Sequence, residues 1–150
     1  MQIRKLNVNE IPPFELLLVA DPSRKLVEEY LQRGNCFIGE WNDQVMGVYV
    51  LLPTRPDTVE LVNVAVDENH QGKGLGKQLV KHAIQMARGL GFKTIEVGTG
   101  NSGVGQLALY QKCGFRITGV DIDFFVRHYD EEIVENGIRV LDMIRLSQDL

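Results

Sequence analysis

Alternating apolar and polar positions open the chain, and Ile3 to Val8 reads as a strand. Asn9 is placed to cap a short helical region, with Pro12 and Pro13 in its first turn. Asp21-Pro22 reads as the cap and first position of a second helix, running to Gln32 with Leu26, Val27, Tyr30 and Leu31 on its apolar side and Gly34 at its end. Cys36 to Trp41 and Val45 to Leu52 flank Asn42-Asp43, the pattern of a β-hairpin. A second turn falls at Pro53 to Asp57. Val59 to Val66 carries so few charges that it reads as a central strand covered on both faces.

Leu75, Leu79, Ala83, Ile84 and Ala87 recur at helical spacing, and Gly89 or Gly91 closes that helix. Lys93 to Gly98 predicts another strand, and Gly103 to Cys113 a helix ended by Gly114. Phe115 to Phe125 and Ile138 to Leu146 read as the last two strands, around an acidic, irregular stretch from Val126 to Gly137. The predicted order is β-α-α-β-β-β-α-β-α-β-β, an α/β (α+β) arrangement in which helices cover both faces of a mixed sheet.

At 150 residues the chain is long enough for one domain with a substantial core, so residues 1–150 are expected to form a single domain. No apolar run approaches the ~20 residues a membrane span requires. The first residues read as a strand and not as a signal peptide. Cys36 and Cys113 stand far apart with no C-x-x-C spacing, which fits free thiols and a cytoplasmic location. The net charge of −4 gives no general reason to expect nucleic-acid binding. His70, His82 and His128 show no metal-ligand spacing, and no metal is expected.

The chemistry concentrates where the central strand meets the glycines. Val64-Ala65-Val66 leads through a turn into Gln71-Gly72-Lys73-Gly74-Leu75-Gly76-Lys77 and then the helix. Residues without Cβ let a ligand press against the backbone, and a helix start offers unpaired N–H groups and partial positive charge. Together these suit a pyrophosphate. The Walker A spelling fails because no glycine stands at the required upstream position, and Gly72, Gly74 and Gly76 do not match G-x-G-x-x-G either. The pattern that fits is Gln/Arg-x-x-Gly-x-Gly.

This loop resembles the acetyl-CoA pyrophosphate loop of the GCN5-related N-acetyltransferase (GNAT) superfamily. A second block strengthens the resemblance: Asn101, followed by Leu107-Ala108-Leu109-Tyr110-Gln111-Lys112-Cys113-Gly114-Phe115, is similar to the family's Asn and A-x-x-x-Y-x-x-x-G-F helix. The resemblance covers essentially the whole chain. It implies the GNAT fold, a twisted mixed sheet of about seven strands flanked by about four helices. It implies an acetyl-CoA-dependent N-acetyltransferase whose acceptor is a primary amine of a small molecule or peptide, attacking directly in a ternary complex.

Residue by residue, the resemblance implies that the main chain of Val64, Ala65 and Val66 pairs with the pantetheine arm. Gln71 to Lys77 would cradle the pyrophosphate, with Lys73 and Lys77 adding charge. Asn101 would contact the CoA arm, and Tyr110 would protonate the departing thiolate. Glu60 matches the base position of the histone acetyltransferase branch and Glu96 that of the ribosomal-protein N-terminal acetyltransferase branch. A carboxylate on an apolar central strand is costly unless paired or functional, and that argument applies to both. Asp121, Asp123, Asp130, Glu131, Glu132 and Glu135 fall where family members shape the acceptor pocket and would attract a cationic amine. Members of the family are often dimers, and the C-terminal strands would suit such pairing. The rival reading is a non-catalytic acyl-CoA-binding module or sensor on the same fold. A nucleotide-binding regulatory domain fits less well, because the known phosphate-loop spellings fail.

Overall fold

The computed structural model describes Met1–Leu150. Seven strands form one mixed sheet in the order β1-β2-β3-β4-β5-β9-β6: β1 (Gln2–Lys5), β2 (Asn35–Trp41), β3 (Gln44–Arg55), β4 (Thr58–Val66), β5 (Thr94–Gly100), β6 (Arg116–Asp121) and β9 (Met143–Asp149). A separate two-stranded ribbon joins β7 (Val134–Glu135) to β8 (Ile138–Arg139). The helices are α1 (Phe14–Ala20), α2 (Arg24–Arg33), α3 (Leu75–Gly89), α4 (Val104–Lys112) and α5 (Phe124–His128). Helices α1 and α2 pack on one face around Leu17, Val27, Val48 and Val50. On the opposite face Leu79, Val80, Ala83 and Ala87 of α3 pack with Tyr49, Ile95 and Leu146, and Tyr110 of α4 joins them. The mixed sheet with helices on both faces is the architecture the sequence predicts.

The β2–β3 hairpin turns at Asn42 and Asp43, both at positive φ (51° and 62°), the pair of conformations a two-residue turn needs to match strand twist. Several boundaries differ from the sequence reading. Strand β1 ends at Lys5, and Asn9 caps nothing. Glu10 instead accepts hydrogen bonds from the Asn7 amide and the Arg4 guanidinium, locking a turn before Pro12-Pro13. The second helix is capped by Ser23, whose Oγ accepts from the Leu26 amide at 3.2 Å, and not by Asp21. Strand β3 continues through Pro53 to Arg55, leaving only a short turn before β4.

The largest difference lies near the C-terminus. The expected strand from Phe115 to Phe125 stops at Asp121, because Asp123 takes a left-handed conformation (φ 62°) and starts α5. The expected strand from Ile138 is broken between β8 and β9, where Leu141 and Asp142 turn to hydrogen-bond Asn101. Residues 122–142 therefore form a strap of helix, ribbon and turn across one end of the sheet.

The central feature is an opening in the sheet. Strands β4 and β5 are parallel and pair from Thr58↔Thr94 to Leu61↔Val97, then separate, although they continue to Val66 and Gly100. On its other side β4 stays paired with β3 to Val66, but the register shifts at Val50/Leu51 and leaves Val62 without a partner. An extra residue of this kind bends its strand and increases local twist. The bulge thus coincides with the point where β4 leaves β5.

Candidate active site

Splayed strands expose main-chain N–H and C=O groups that a sheet would otherwise pair, and such groups seek partners. Val64 and Val66 are half-buried along this edge and pack their side chains against the α3 face, while the backbone faces the gap. Beyond Val66, Asp67 caps a single 3-10 turn over Glu68–His70. Gln71 ties the turn back to the strand by donating from Nε2 to the Val66 carbonyl at 3.2 Å.

Gly72 (φ 78°) and Gly74 (φ 79°) adopt left-handed backbone, and a Cβ built on either meets nothing within 4 Å. Gly74 is the N-cap of α3. Open space above left-handed glycines at a helix start forms an N–H-lined concavity suited to an anion. Lys73 and Lys77 are exposed beside it. These residues fit a pyrophosphate on the ground of that empty cradle alone. Gly76 has ordinary φ and packs near Leu109, so it serves the contact between α3 and α4.

A cavity of about 370 Å³ passes through the opening between β4 and β5. On the α4 side it reaches Val64, Gly100, Gly103 and Tyr110. Tyr110 is only 4% exposed and stands edge-on to Phe115, with ring centroids 6.0 Å apart. Burial pushes its hydroxyl up to about 12, so the phenol stays protonated through the whole working range. That is a looser match to a thiolate than the ordinary phenol value near 10 would give.

On the α1/α2 side the cavity reaches Glu60, Asn63, Asp21, Tyr30, Tyr129 and Arg145. Burial raises the pKa of Glu60, opposed by the Arg145 guanidinium 3.9 Å away and reinforced by Glu96. A carboxylate held in this way is a stronger base than one in water. Glu96 sits beside Glu60 in register but does not line the cavity, and Arg55 holds it at 2.7 Å. The geometry therefore separates two residues that the sequence leaves equivalent.

Asn101 faces elsewhere. Its Oδ1 accepts from the amides of Leu141 (2.8 Å) and Asp142 (3.1 Å), and its Nδ2 donates to the Arg139 carbonyl at 3.1 Å. The side chain anchors the strap, and the Asn101 amide adds a further tie by donating to the Asp142 carbonyl at 3.0 Å. Of the six acidic residues expected around the acceptor, only Glu135 lines the cavity. Asp121 is held by Arg127 at 2.6 Å and Glu132 lies 3.7 Å from Arg139, while Asp130 and Glu131 are exposed.

Residues to which the sequence assigns no role in the site complete the far side. Tyr129 and Tyr30 both donate to Asp21, at 2.8 and 3.2 Å, and Tyr30 accepts from Asn63 Nδ2 at 2.8 Å. Asn63 was signalled in the sequence as the one amide within the apolar run from Val59 to Val66.

The profile of the Acetyltransferase (GNAT) family matches residues 7–115. The chain belongs to this family. It is 61% identical over 137 residues to the uncharacterized N-acetyltransferase YvbK of Bacillus subtilis (strain 168), covering 91% of this chain and 88% of that protein. A solved Bacillus subtilis acetyltransferase in complex with CoA superposes with a TM-score of 0.94 at 57% identity, covering 99% of this chain and 98% of the other. A GNAT family acetyltransferase from Elizabethkingia anophelis with acetyl-CoA bound gives 0.98 at 44% identity, over 99% and 97% of the two chains. This GNAT chain is an N-acetyltransferase, and structural relatives bind CoA or acetyl-CoA. No helix in it is long and apolar enough to cross a membrane.

Proposed function

We propose that residues 1–150 act as one N-acetyltransferase domain that transfers acetyl from acetyl-CoA to a primary amine by direct attack in a ternary complex. The observation that carries this reading is the cavity through the sheet, which has Tyr110 toward one side and Glu60 toward the other. The donor supplies the acetyl group as a thioester. Gln71 to Lys77 hold its pyrophosphate through main-chain N–H groups, and the free main chain of Val64, Ala65 and Val66 aligns its arm and polarises the carbonyl. Asn101, just past the end of β5, fixes the strap beside that arm.

The amine enters from the Glu60 side. Glu60 removes its proton, the nitrogen bonds to the carbonyl carbon, and the carbon–sulfur bond breaks. Tyr110 gives its proton to the departing sulfur and regains one from water. Glu96, fixed by Arg55, tunes the charge around Glu60. Free thiols at Cys36 and Cys113 are consistent with a cytoplasmic setting.

The test pairs two measurements on the same protein. Acetyl-CoA should raise Tm, and mass spectrometry across polyamines, antibiotics, amino acids, aromatic amines and peptides should find an acceptor gaining one acetyl group. A raised Tm with no product in any mixture would favour the alternative, an acyl-CoA-binding module.

A further inference from the structure

The acceptor lobe of the cavity carries enough chemistry to define what it takes. Its charged residues are Asp21, Glu60, Glu135 and Arg145, three carboxylates against one guanidinium. That guanidinium already faces two carboxylates and a ring: Arg145 lies 3.9 Å from Glu60, 3.6 Å from Asp121 and 5.2 Å from the centre of the Phe124 ring. A carboxylate on an incoming molecule would compete with Glu60 and Asp121 for this single cation and would face like charge.

The walls are aromatic. Phe124, Phe125 and Tyr129 pack together, with Phe125 and Tyr129 centroids 5.2 Å apart, and Tyr30 stands across from them. Aromatic faces attract a cation and give a flat apolar body a surface to lie on.

An unanswered acceptor sits among them. Asn63 is 3% exposed and lines the cavity. Its Nδ2 donates to the Leu17 carbonyl at 3.0 Å and to Tyr30 Oη, which fixes the orientation of the amide. Its Oδ1 is buried without any partner. A buried acceptor left unpaired is costly, and an N–H from a ligand removes that cost.

We infer that the acceptor is a cationic primary amine on an aromatic body that bears no carboxylate, with Asn63 Oδ1 receiving an N–H and Asp21 and Glu135 supplying the negative field. This rests on the acetyl-transfer reading above. Asp21 is suited to its part because three donors, Tyr30, Tyr129 and the Ser23 amide, hold its carboxylate in place. α-Amino acids, acidic peptides and polyamines without an aromatic group are poor acceptors on this assignment.

The experiment uses the unaltered protein with phenethylamine, phenylalaninol, phenylalanine and spermidine as probes, and reads kcat/KM by mass spectrometry. Phenethylamine and phenylalaninol should be acetylated at least about tenfold more efficiently than phenylalanine or spermidine, the ratio that 1.4 kcal/mol of discrimination gives. Phenylalaninol keeps the branch at Cα but not the charge, so it separates repulsion from crowding. Asn63→Ala should raise KM for phenethylamine about tenfold while the acetyl-CoA-dependent rise in Tm persists. Equal use of phenylalanine, preference for spermidine, or no aromatic amine acetylated while acetyl-CoA still raises Tm would each overturn the assignment. Absence of any acetyl-CoA effect on Tm would overturn the donor reading beneath it.

Discussion

Tyr129 donates its hydroxyl to Asp21 at 2.8 Å across 108 residues of sequence, and so fastens the C-terminal strap to the loop between α1 and α2. Tyr129→Phe keeps the ring and removes the fastening. A hydrogen bond to a charged group contributes about 1.5–3 kcal/mol, so Tm should fall by several degrees. KM for the amine should rise while acetyl-CoA binding stays constant, because neither Gly72 nor Gly74 lines the cavity that Tyr129 lines. Steady-state kinetics with each substrate varied in turn will check this. A rise in the acetyl-CoA KM alone would contradict it.

Tyr110→Phe should lower kcat by about 10²–10⁴, the usual contribution of a positioned proton donor. Its acetyl-CoA affinity should stay close to that of the parent, since the ring still packs on Phe115. Single-turnover rates together with calorimetric affinity give the answer. An unchanged kcat would remove the hydroxyl from the reaction.

As the proposed base, Glu60 should set the acid limb of the pH profile. Burial raises its pKa, so the folded protein holds this proton more tightly than the unfolded chain does. Its contribution to stability is therefore complete below the ordinary carboxylate range and is lost as pH rises through the folded value. Activity has the opposite sense, rising with pH as Glu60 ionises. Arg145→Gln removes the opposing guanidinium and should move the acid limb to higher pH. Glu60→Gln should abolish the limb with a loss of about 10²-fold or more in kcat/KM. Glu96→Gln should retain most activity and displace the limb to lower pH. pH–rate profiles of the three variants distinguish the two carboxylates.

Asn101→Ala should destabilise the protein by about 2 kcal/mol or more, since it leaves the Leu141 and Asp142 amides without their acceptor. That corresponds to roughly 4–8 °C in Tm for a chain of this length. Hydrogen exchange should quicken around residues 139–142 before it changes elsewhere. Unaltered exchange in that segment would argue that the strap is held by other means.

Gly74→Glu places bulk, negative charge and a strained left-handed φ at the open cradle. The parent should gain about 2.7 kcal/mol at acetyl-CoA concentrations a hundred times Kd, seen as a rise of several degrees in Tm. The variant should show no such rise. Retained stabilisation would move the pyrophosphate elsewhere.

The proposed donor half of the site is legible in the sequence because it is built from consecutive residues. Strand β4, the glycine loop and the start of α3 follow one another, and Gly114-Phe115 sets the register of Tyr110. The proposed acceptor half is assembled from distant pieces, and its signals are weaker. Asp21 has the spelling of a helix cap, yet Ser23 two residues later performs that task and frees Asp21 for the two tyrosines. Phe124-Phe125-Val126 has strand composition, and only the left-handed Asp123 and its tie to Asp142 turn it into a helix. Glu60 and Glu96 look alike on paper, and what parts them is Arg55, which reaches Glu96 from the end of β3.

The sheet behaves as a partition with a single doorway where β4 leaves β5. In the proposed reaction donor and acceptor approach from opposite rooms, and only the reacting atoms need to meet in the frame. The walls of the two rooms come from separate stretches of chain: residues 64–77 and α4 on one side, α1, α2 and the strap on the other. Exchange of residues 122–142 between relatives should therefore alter which amine is accepted and leave the handling of acetyl-CoA untouched, so that one scaffold can change its acceptor without rebuilding its donor side.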